Sequence, residues 1–494
     1  MDRNTGLDLA YLPFFAKMVI IGVYFDQKRV GNGVSLIFTR SIDRDLREWS
    51  ANPRRKPLIL RGARQVGKST AVRSLASAEG FDLVEINLER HSYLNKVFAS
   101  FDLAKICLEL DSIAGRSIRS LKKPLLFLDE IQATPAALAA LRYFFEDAPE
   151  LPVLAAGSLL EFALADFQYS MPVGRVEYRF LGPLSFEEYL AAAGEDFLLQ
   201  VLQNTRQDFS ALSDHSHEKL LSKHRQFLYV GGMPEAVSHF LNTQDPSACE
   251  AVQQALLDTF EDDLAKYSSG SALARLRDVY RKLPHHVGLK IKYANFSKEE
   301  KSREIRQSLM QLAMAQLWYP VHHSDCVGRP LGATKSEEVY KALFLDVGLM
   351  NRVMQLRWPH VAKLDERTLC NEGAIAEQYI GQELLYRRGA KEKPSLYYWL
   401  REKKAGNAEV DYVIDDHEAI IPIEVKSGKS GTLRSIVQFT STHKSPLAVR
   451  FDLQKPSLQT TDCPLLSLPL YLSGNCVNVI DRILEGLSKD KVSG

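Results

Sequence analysis

The chain has 494 residues, of which 45% are hydrophobic and 25% are charged, and its formal net charge is +1. This composition excludes a disordered or fibrous protein, and the length exceeds that of a single hydrophobic core, so two to four domains are expected. The balanced charge argues against a uniformly basic surface for nucleic acid, although it leaves local basic patches open.

Residues 1–38 are predicted to be an N-terminal extension, or sequence that precedes the natural start of the protein. The segment 9–25 is rich in apolar residues, but Pro13 and Lys17 interrupt it, so stable membrane insertion is not expected. Six scattered cysteines show neither CxxC pairs nor the Cys/His spacing of a metal site. Free thiols of this kind are typical of a reducing compartment, and we predict a cytoplasmic location.

An apolar run at 58–60, predicted to be a buried strand, leads into a match to the pattern GxxxxGK[ST] at 62–69. The glycines let successive backbone N–H groups surround phosphates, Lys68 offers a cation to the β- and γ-phosphates, and Ser69 offers a hydroxyl to Mg²⁺. The helix that follows adds the positive end of its dipole. The predicted nucleotide site comprises Gly62, Ala63, Arg64, Gln65, Val66, Gly67, Lys68, Ser69 and Thr70.

A second apolar strand at 124–128 ends in Asp129 and Glu130, the acidic pair that a phosphate-bound Mg²⁺ and an attacking water require. ATP and Mg²⁺ are therefore the predicted cofactors. GTP is disfavoured because the chain lacks an NKxD-like guanine reader. The alternative for Glu130 is a solvated carboxylate at a strand end.

Further apolar strands at 83–86 and 151–156, separated by helical stretches, predict an α/β fold with a parallel sheet. We expect a P-loop ATPase core over 39–190 and a helical lid region over 191–255.

The next region, 256–350, is expected to be winged-helix-like. Within it, residues 275–306 carry ten Lys and Arg against four Asp and Glu. This excess fits a winged-helix DNA reader, and it fits a solvated basic face on a lid helix equally well.

A new α/β pattern occupies 351–494, where Asp411 lies on one predicted strand and Glu424 and Lys426 lie on the next. Strand alternation points Glu424 and Lys426 to one face. Two carboxylates that hold Mg²⁺ and a lysine that orients water are the chemistry of phosphodiester cleavage. Glu377 and Gln438 are possible accessory residues. The alternative is an exposed Glu-x-Lys on a solvated strand face.

Together these segments resemble the bacterial and archaeal AAA family ATPases that join a P-loop domain to a C-terminal PD-(D/E)xK restriction-endonuclease-like domain of unassigned function. The resemblance covers about residues 40–490 and rests on the ordered segments 61–69, 128–132, 156–158, 174–175, 181–186, 231–234, 344–349, 371–373 and 422–428. It implies an AAA-type core, a winged-helix-like middle and a nuclease-like C-terminal domain.

By position, the resemblance makes Ser158 the γ-phosphate sensor. It makes Arg175 a candidate to contact the γ-phosphate, either in cis or from a neighbouring subunit of a homo-oligomer. A structural ion pair is the alternative role for Arg175.

These parts predict an ATP-driven switch that acts on nucleic acid, with DNA favoured, and that cleaves it with Mg²⁺. The competing hypothesis is an ATPase-regulated scaffold or signalling protein whose C-terminal domain binds a partner without cleaving.

Overall fold

The computed structural model describes residues 29–30, 33–34, 38–158, 160–165, 172–358, 373–401, 408–416, 419–426, 434–460 and 463–492. The apolar segment 9–25 and most of the predicted N-terminal extension lie outside the described residues. Near the end of that extension, strands β1 (Arg29–Val30) and β2 (Gly33–Val34) pair antiparallel. None of the helices in the described ranges has both the length and the apolar character that a membrane crossing requires.

A five-stranded parallel sheet organises the first part of the chain. Its strands are β3 (Leu58–Arg61), β4 (Asp82–Asn87), β5 (Pro124–Asp129), β6 (Val153–Gly157) and β7 (Glu177–Phe180). In space they run β4-β5-β6-β3-β7. β3 and β6 are buried along their whole length, which explains why the sequence shows continuous apolar runs there. The predicted α/β core with a parallel sheet is confirmed.

Helices connect and cover these strands. They are α1 (Ile42–Ala51), α2 (Lys68–Glu79), α3 (Leu94–Phe98), α4 (Leu103–Ala114), α5 (Pro135–Asp147) and α6 (Leu160–Ala165). A helical region follows the sheet, with α7 (Phe186–Ala192), α8 (Asp196–Gln207), α9 (Asp214–Val230), α10 (Pro234–Thr243) and α11 (Pro246–Asp263). A capping box of Ser185 and Glu188 begins this region, because each side chain accepts a hydrogen bond from the other residue's backbone N–H.

The second sheet is mixed and has eight strands. Its strands are β8 (Trp318–Ser324), β9 (Lys335–Phe344), β10 (Leu396–Arg401), β11 (Ala408–Asp416), β12 (Ala419–Val425), β13 (Ala448–Asp452), β14 (Ser457–Gln459) and β15 (Leu465–Pro469). They lie in the order β14-β15-β13-β12-β11-β10-β8-β9. The accompanying helices are α12 (Gly270–Lys282), α13 (Ser302–Met314), α14 (Val347–Val353), α15 (Gly373–Leu385), α16 (Arg434–His443) and α17 (Cys476–Val492).

This sheet runs across the boundary that we expect between residues 350 and 351. β8 pairs antiparallel with β9 and parallel with β10, where Val321 lies opposite Leu396. A parallel pair needs a long crossover connection, and the chain between β9 and β10, which includes α14 and α15, provides it. The hairpin of the expected middle region is therefore hydrogen-bonded into the C-terminal sheet.

Polar side chains of α15 hold this helix against both halves of the molecule. Gln378 exchanges two 2.8 Å hydrogen bonds with the backbone of Phe344. The backbone N–H of Val347 donates to Gln382 at 3.0 Å. Glu383 accepts from the backbone N–H of Phe186, the first residue of α7, at 2.9 Å. α15 is therefore bonded to the second sheet and to the helical region after the ATPase sheet.

We expect Glu383 to make the stability of the protein depend on pH. Burial, with the charges of Glu187 and Glu188 adding to it, raises the pKa of Glu383 to about 8. Because the unfolded chain loses this proton first, the stability of the folded state falls as pH rises from about 4.5 to about 8. The variant Glu383→Gln removes this loss. At pH 9 we therefore expect its free energy of unfolding to exceed that of the wild type by about 1–3 kcal/mol, and its melting temperature to be higher.

The measurement is a thermal melt at pH 6 and at pH 9, with Glu299→Gln as a control at an exposed position. An equal pH dependence in the wild type and in Glu383→Gln would show that this carboxyl does not change its protonation on unfolding.

Candidate functional site

The loop between β3 and α2 has the backbone that phosphate binding requires. Gln65 and Gly67 have positive φ angles of 62° and 99°, a left-handed geometry that glycine adopts at no steric cost. A Cβ at Gly62 would come within 2.2 Å of the carbonyl oxygen of Leu181, so glycine is required for this close approach. The loop therefore presents its backbone at the start of α2, where the helix dipole favours an anion.

Lys68 and Ser69 lie at this helix start. The Lys68 ammonium is buried and donates hydrogen bonds to the carbonyl oxygens of Gly62 and Ala63 at 3.0 and 2.7 Å. Burial lowers the pKa of Lys68 to about 8, although the charges of Glu130 and Asp129 oppose the shift. The Ser69 hydroxyl donates to Asp129 at 2.9 Å. The structure thus brings together the predicted Mg²⁺ contacts Ser69 and Asp129.

Glu130 follows directly in a left-handed conformation, with φ of 52°. Its carboxylate accepts a hydrogen bond from the Gln132 amide at 2.5 Å. Ser158 is only 3% exposed, and its hydroxyl has no hydrogen-bond partner among the described groups. Gln132 also lies against Gly157, where a Cβ would meet its amide oxygen at 2.4 Å. Gln132 was not predicted as a site residue, although it lies in the segment 128–132 that carries the family resemblance.

A cavity of about 870 Å³ opens from this loop towards α10. The predicted residues that line it are Arg64, Gln65, Gly67, Lys68, Ser69, Thr70, Asp129 and Glu130, whereas Gly62, Ala63, Val66 and Ser158 are not among its lining residues. One face of α10 also lines it, with Pro234, Glu235, Ser238, His239, Asn242 and Thr243. These residues recur every three to four positions, which is the spacing that places side chains on one face of a helix. The volume is in the range of ligand pockets in proteins.

Arg40 also lines the cavity and was not predicted from the sequence. Its buried guanidinium donates to Glu188 at 2.9 Å, to the carbonyl oxygen of Val66 at 3.1 Å and to that of Gly182 at 2.9 Å. Arg40 therefore ties the P-loop to the loop after β7 and to α7.

Arg175 lies apart from the cavity. It donates to Glu146 at 3.1 Å, and Glu146 also pairs with Arg142. The side chain of Arg175 is 42% exposed, and it is absent from the residues that line the cavity in the described part of the chain. This geometry gives no support to a contact in cis, whereas a contact with a neighbouring subunit stays a prediction.

A second constellation lies on the eight-stranded sheet, where β11 and β12 place Asp411 beside Glu424. Asp411 is half-buried and accepts from the backbone N–H of Val425 at 2.7 Å. Lys426 forms an ion pair with Glu424. Glu377, on α15, lies close enough to Asp411 and Glu424 for their negative charges to raise its pKa. The amide of Gln438 lies against the guanidinium of Arg401, from which its oxygen can accept hydrogen bonds.

The cluster contains one lysine that the sequence pattern did not include. Lys341, on β9, forms an ion pair with Glu409, and its Nζ lies 3.7 Å from Oε2 of Glu377. Burial alone would lower the pKa of Lys341, but the charges of Glu377, Asp411 and Glu409 outweigh burial and raise it.

The carboxylates of the cluster lack sufficient positive charge nearby. Burial and the charge of Asp411 raise the pKa of Glu377 to about 8 and that of Glu424 to about 7. Four carboxylates share two ammonium groups, which leaves two formal negative charges when all are ionised. Oε2 of Glu377 and Oε2 of Glu424 are buried without a hydrogen-bond partner among the described residues, although Oε2 of Glu377 lies 3.7 Å from the Lys341 ammonium. A buried carboxylate oxygen without a hydrogen bond suits a cation.

Within the described ranges, no three His, Cys, Asp or Glu side chains are grouped so as to hold a metal ion. Mg²⁺, however, is usually bound by one or two carboxylates together with waters and substrate phosphates. Asp411 and Glu424 therefore fit a two-carboxylate Mg²⁺ site.

Comparisons with known proteins agree with the nucleotide site at the P-loop. Residues 54–190 match a family described as "AAA domain". Residues 221–360 and 372–470 match two families described as domains of unknown function, DUF8612 and DUF4143. No curated protein matches the chain.

Similar solved structures include the Walker-type ATPase PABY2304 of Pyrococcus abyssi, with 16% identity over 64% of this chain and 96% of that chain, at a TM-score of 0.42. The ORC2 protein of Aeropyrum pernix, in ADPNP–ADP complexes, has 11% identity over 66% and 97%, at a TM-score of 0.33. The FIGL-1 AAA domain has 16% identity over 53% and 75%, at a TM-score of 0.24.

The AAA-domain match covers the P-loop, the strand that ends in Asp129, and Ser158. Residues 54–190 therefore form an AAA-type domain with a P-loop, a kind of domain that binds nucleotide and typically uses Mg²⁺.

The role of Glu130 can be separated from nucleotide binding. In Glu130→Gln we expect the affinity for ATP to stay within about threefold, while kcat falls about 100-fold because an amide cannot orient and deprotonate the attacking water as a carboxylate does. ATP turnover and equilibrium binding of a fluorescent ATP analogue measure the two quantities, with Glu79→Gln, at a partly exposed position, as a control. An unchanged kcat would leave Glu130 as a solvated carboxylate.

Proposed function

We propose that the protein is an ATP-driven switch that acts on nucleic acid, with DNA favoured, and that its C-terminal region is a restriction-endonuclease-like unit that cleaves phosphodiester bonds. The observation that carries this proposal is the group formed by the buried Glu424 and the partly buried Asp411 and Lys426 on β11 and at the end of β12. A cytoplasmic location and a homo-oligomer, in which Arg175 reaches the nucleotide of a neighbouring subunit, belong to the same proposal.

The residues of this group have separate tasks. Asp411 and Glu424 would hold Mg²⁺, which neutralises charge at the phosphorus and activates water when it is bound. The backbone N–H of Val425 fixes the orientation of the Asp411 carboxylate. Lys426, which is partly exposed and paired with Glu424, can turn its ammonium towards the attacking water or a phosphate oxygen.

The proposed contact with DNA is α13. The order of α12, a short bridged segment, α13 and the β8–β9 hairpin supports a winged-helix-like reader. Part of the basic excess is neutralised within the fold, because Arg275 pairs with Glu300 and Glu304 at 2.9 and 2.7 Å. Arg303 and Arg306, by contrast, have exposed side chains one helical turn apart on α13.

A non-cleaving binding module is the second candidate, and Lys341 favours it. A buried ammonium among the carboxylates already supplies part of the charge that a metal would supply. In that case the ATPase would regulate a scaffold or signalling surface, and the C-terminal region would bind a partner without cutting DNA.

The cleavage test incubates the full chain with Mg²⁺, ATP and labelled single- and double-stranded DNA. We expect cleavage to fall at least about 100-fold in Lys426→Ala, because the charge beside the reacting phosphate is lost. The exposed Lys444→Ala is the matched control. Lys68→Ala removes the cation for the nucleotide phosphates and shows whether ATP controls cleavage.

Full cleavage by Lys426→Ala would refute the assignment of this site. DNA that stays intact beside measurable ATP turnover, with each divalent metal tried, would favour the binding module.

Charge reversal on α13 tests the DNA contact. We expect Arg303→Glu together with Arg306→Glu to weaken DNA binding at least about tenfold near 0.1 M salt. The slope of log affinity against log salt concentration should fall by about two, because two phosphate contacts are lost. Fluorescence anisotropy over a series of salt concentrations measures both effects. Arg47→Glu with Arg54→Glu, at exposed positions on the ATPase core, is the control pair. If the two double variants bind DNA equally well, α13 is not the DNA contact.

A further inference from the structure

Lys341 lies between two carboxylates of the C-terminal cluster, although its own strand is not part of the hairpin that carries Asp411. It lies on β9, and its side chain is only 3% exposed. Its ammonium pairs with Glu409 and lies 3.7 Å from Oε2 of Glu377. The face of the Tyr398 ring lies 5.1 Å from the same nitrogen. Lys341 therefore meets β11, α15 and β10 at one point.

Burying an ammonium ion is unfavourable unless fixed negative charge surrounds it. At Lys341 this charge comes from two carboxylates that the sequence pattern of the nuclease site does not contain, one on α15 and one on β11. Lys426 contacts Glu424 instead. The ion pairs thus assign Lys341 to Glu377 and Glu409, and Lys426 to Glu424, whereas Asp411 lies near enough to both lysines for each of their charges to lower its pKa.

We propose that the Lys341 ammonium takes the place of a divalent cation between Glu377 and Glu409, and that it leaves Asp411 and Glu424 for a single metal. The first half stands on the ion pairs of Lys341. The second half rests on the proposed nuclease function. In enzymes with two-metal sites, a second cation clamps the phosphate from the other side, and here a lysine fixed by the fold occupies the corresponding part of the cluster.

Charge balance supports this division. With Lys341 in place and all four carboxylates ionised, their charge exceeds that of the two lysines by two, which one divalent cation neutralises. Without the charge of Lys341, the excess becomes three, and Glu377 and Glu409 have no cation fixed by the fold between them. A hard divalent cation is the partner that paired carboxylates then take.

The test counts bound metal instead of measuring cleavage. The full chain, free of nucleotide, is titrated with Mn²⁺ by calorimetry and by electron paramagnetic resonance, next to the variants Lys341→Met and Lys341→Arg. We expect Lys341→Met to bind one more Mn²⁺ per chain than the wild type, and Lys341→Arg to bind the same number as the wild type. Adding Glu409→Gln to Lys341→Met should remove the extra ion. Circular dichroism verifies that each variant is folded.

A second variant covers the case in which Lys341→Met does not fold. Glu409→Gln in the wild-type background should leave the number of bound Mn²⁺ unchanged, because Lys341, and not a metal, is bound to Glu409. Fewer bound ions in this variant would overturn the proposal, as would an equal count in folded Lys341→Met and in the wild type.

The two proposals fail differently. If the wild type binds one Mn²⁺ that Asp411→Asn removes, and Lys341→Met binds two, both survive. If the wild type binds none and Lys341→Met binds one, the role of Lys341 stands and the nuclease proposal fails. If the wild type already binds two, Lys341 does not replace a cation.

Discussion

The buried carboxylate of Asp346 joins the two halves of the molecule. It accepts the backbone N–H of Gly232 at 2.7 Å and that of Leu349, in α14, at 3.0 Å. A Cβ at Gly231 would come within 2.2 Å of the same carboxylate. Burial raises the pKa of Asp346 to about 6, which the hydrogen bonds from these N–H groups oppose. Because a buried carboxylate is costly without such donors, the segment before α10 and the turn after β9 are held in one arrangement.

The nucleotide cavity and the carboxylate cluster are both connected to the hydrogen bonds of Asp346. α10 begins two residues after Gly232 and lines the nucleotide cavity. On the other side, β9 carries Lys341, and the backbone at its end is hydrogen-bonded to Gln378 of α15. α15 in turn carries Glu377 into the carboxylate cluster. A shift of α10 on nucleotide binding would therefore reach β9 and α15 through side chains that are already packed and bonded, which gives the proposed switch a physical connection between its sites.

Local features of the site could be predicted from sequence, and contacts between distant segments could not. The P-loop and the Asp129 strand are consecutive residues whose geometry follows from backbone conformation, and Asp411 and Glu424 meet because a short hairpin brings them together. In the sequence nothing distinguishes Lys341 from other strand residues, because its partners lie on α15 and β11, which follow later in the chain. The ion pair of Arg175 with Glu146 likewise became visible only in the fold.

In the described part of the chain two lysines are buried, Lys68 and Lys341, and their surroundings suit them to different tasks. Lys68 is hydrogen-bonded to neutral carbonyl oxygens, so burial dominates and lowers its pKa to about 8. Its charge is under-compensated, which makes a polyphosphate a favourable partner. The carboxylates around Lys341 raise its pKa instead, so its ammonium is already neutralised by the fold. One lysine is therefore suited to a ligand that arrives and leaves, and the other to a permanent structural cation.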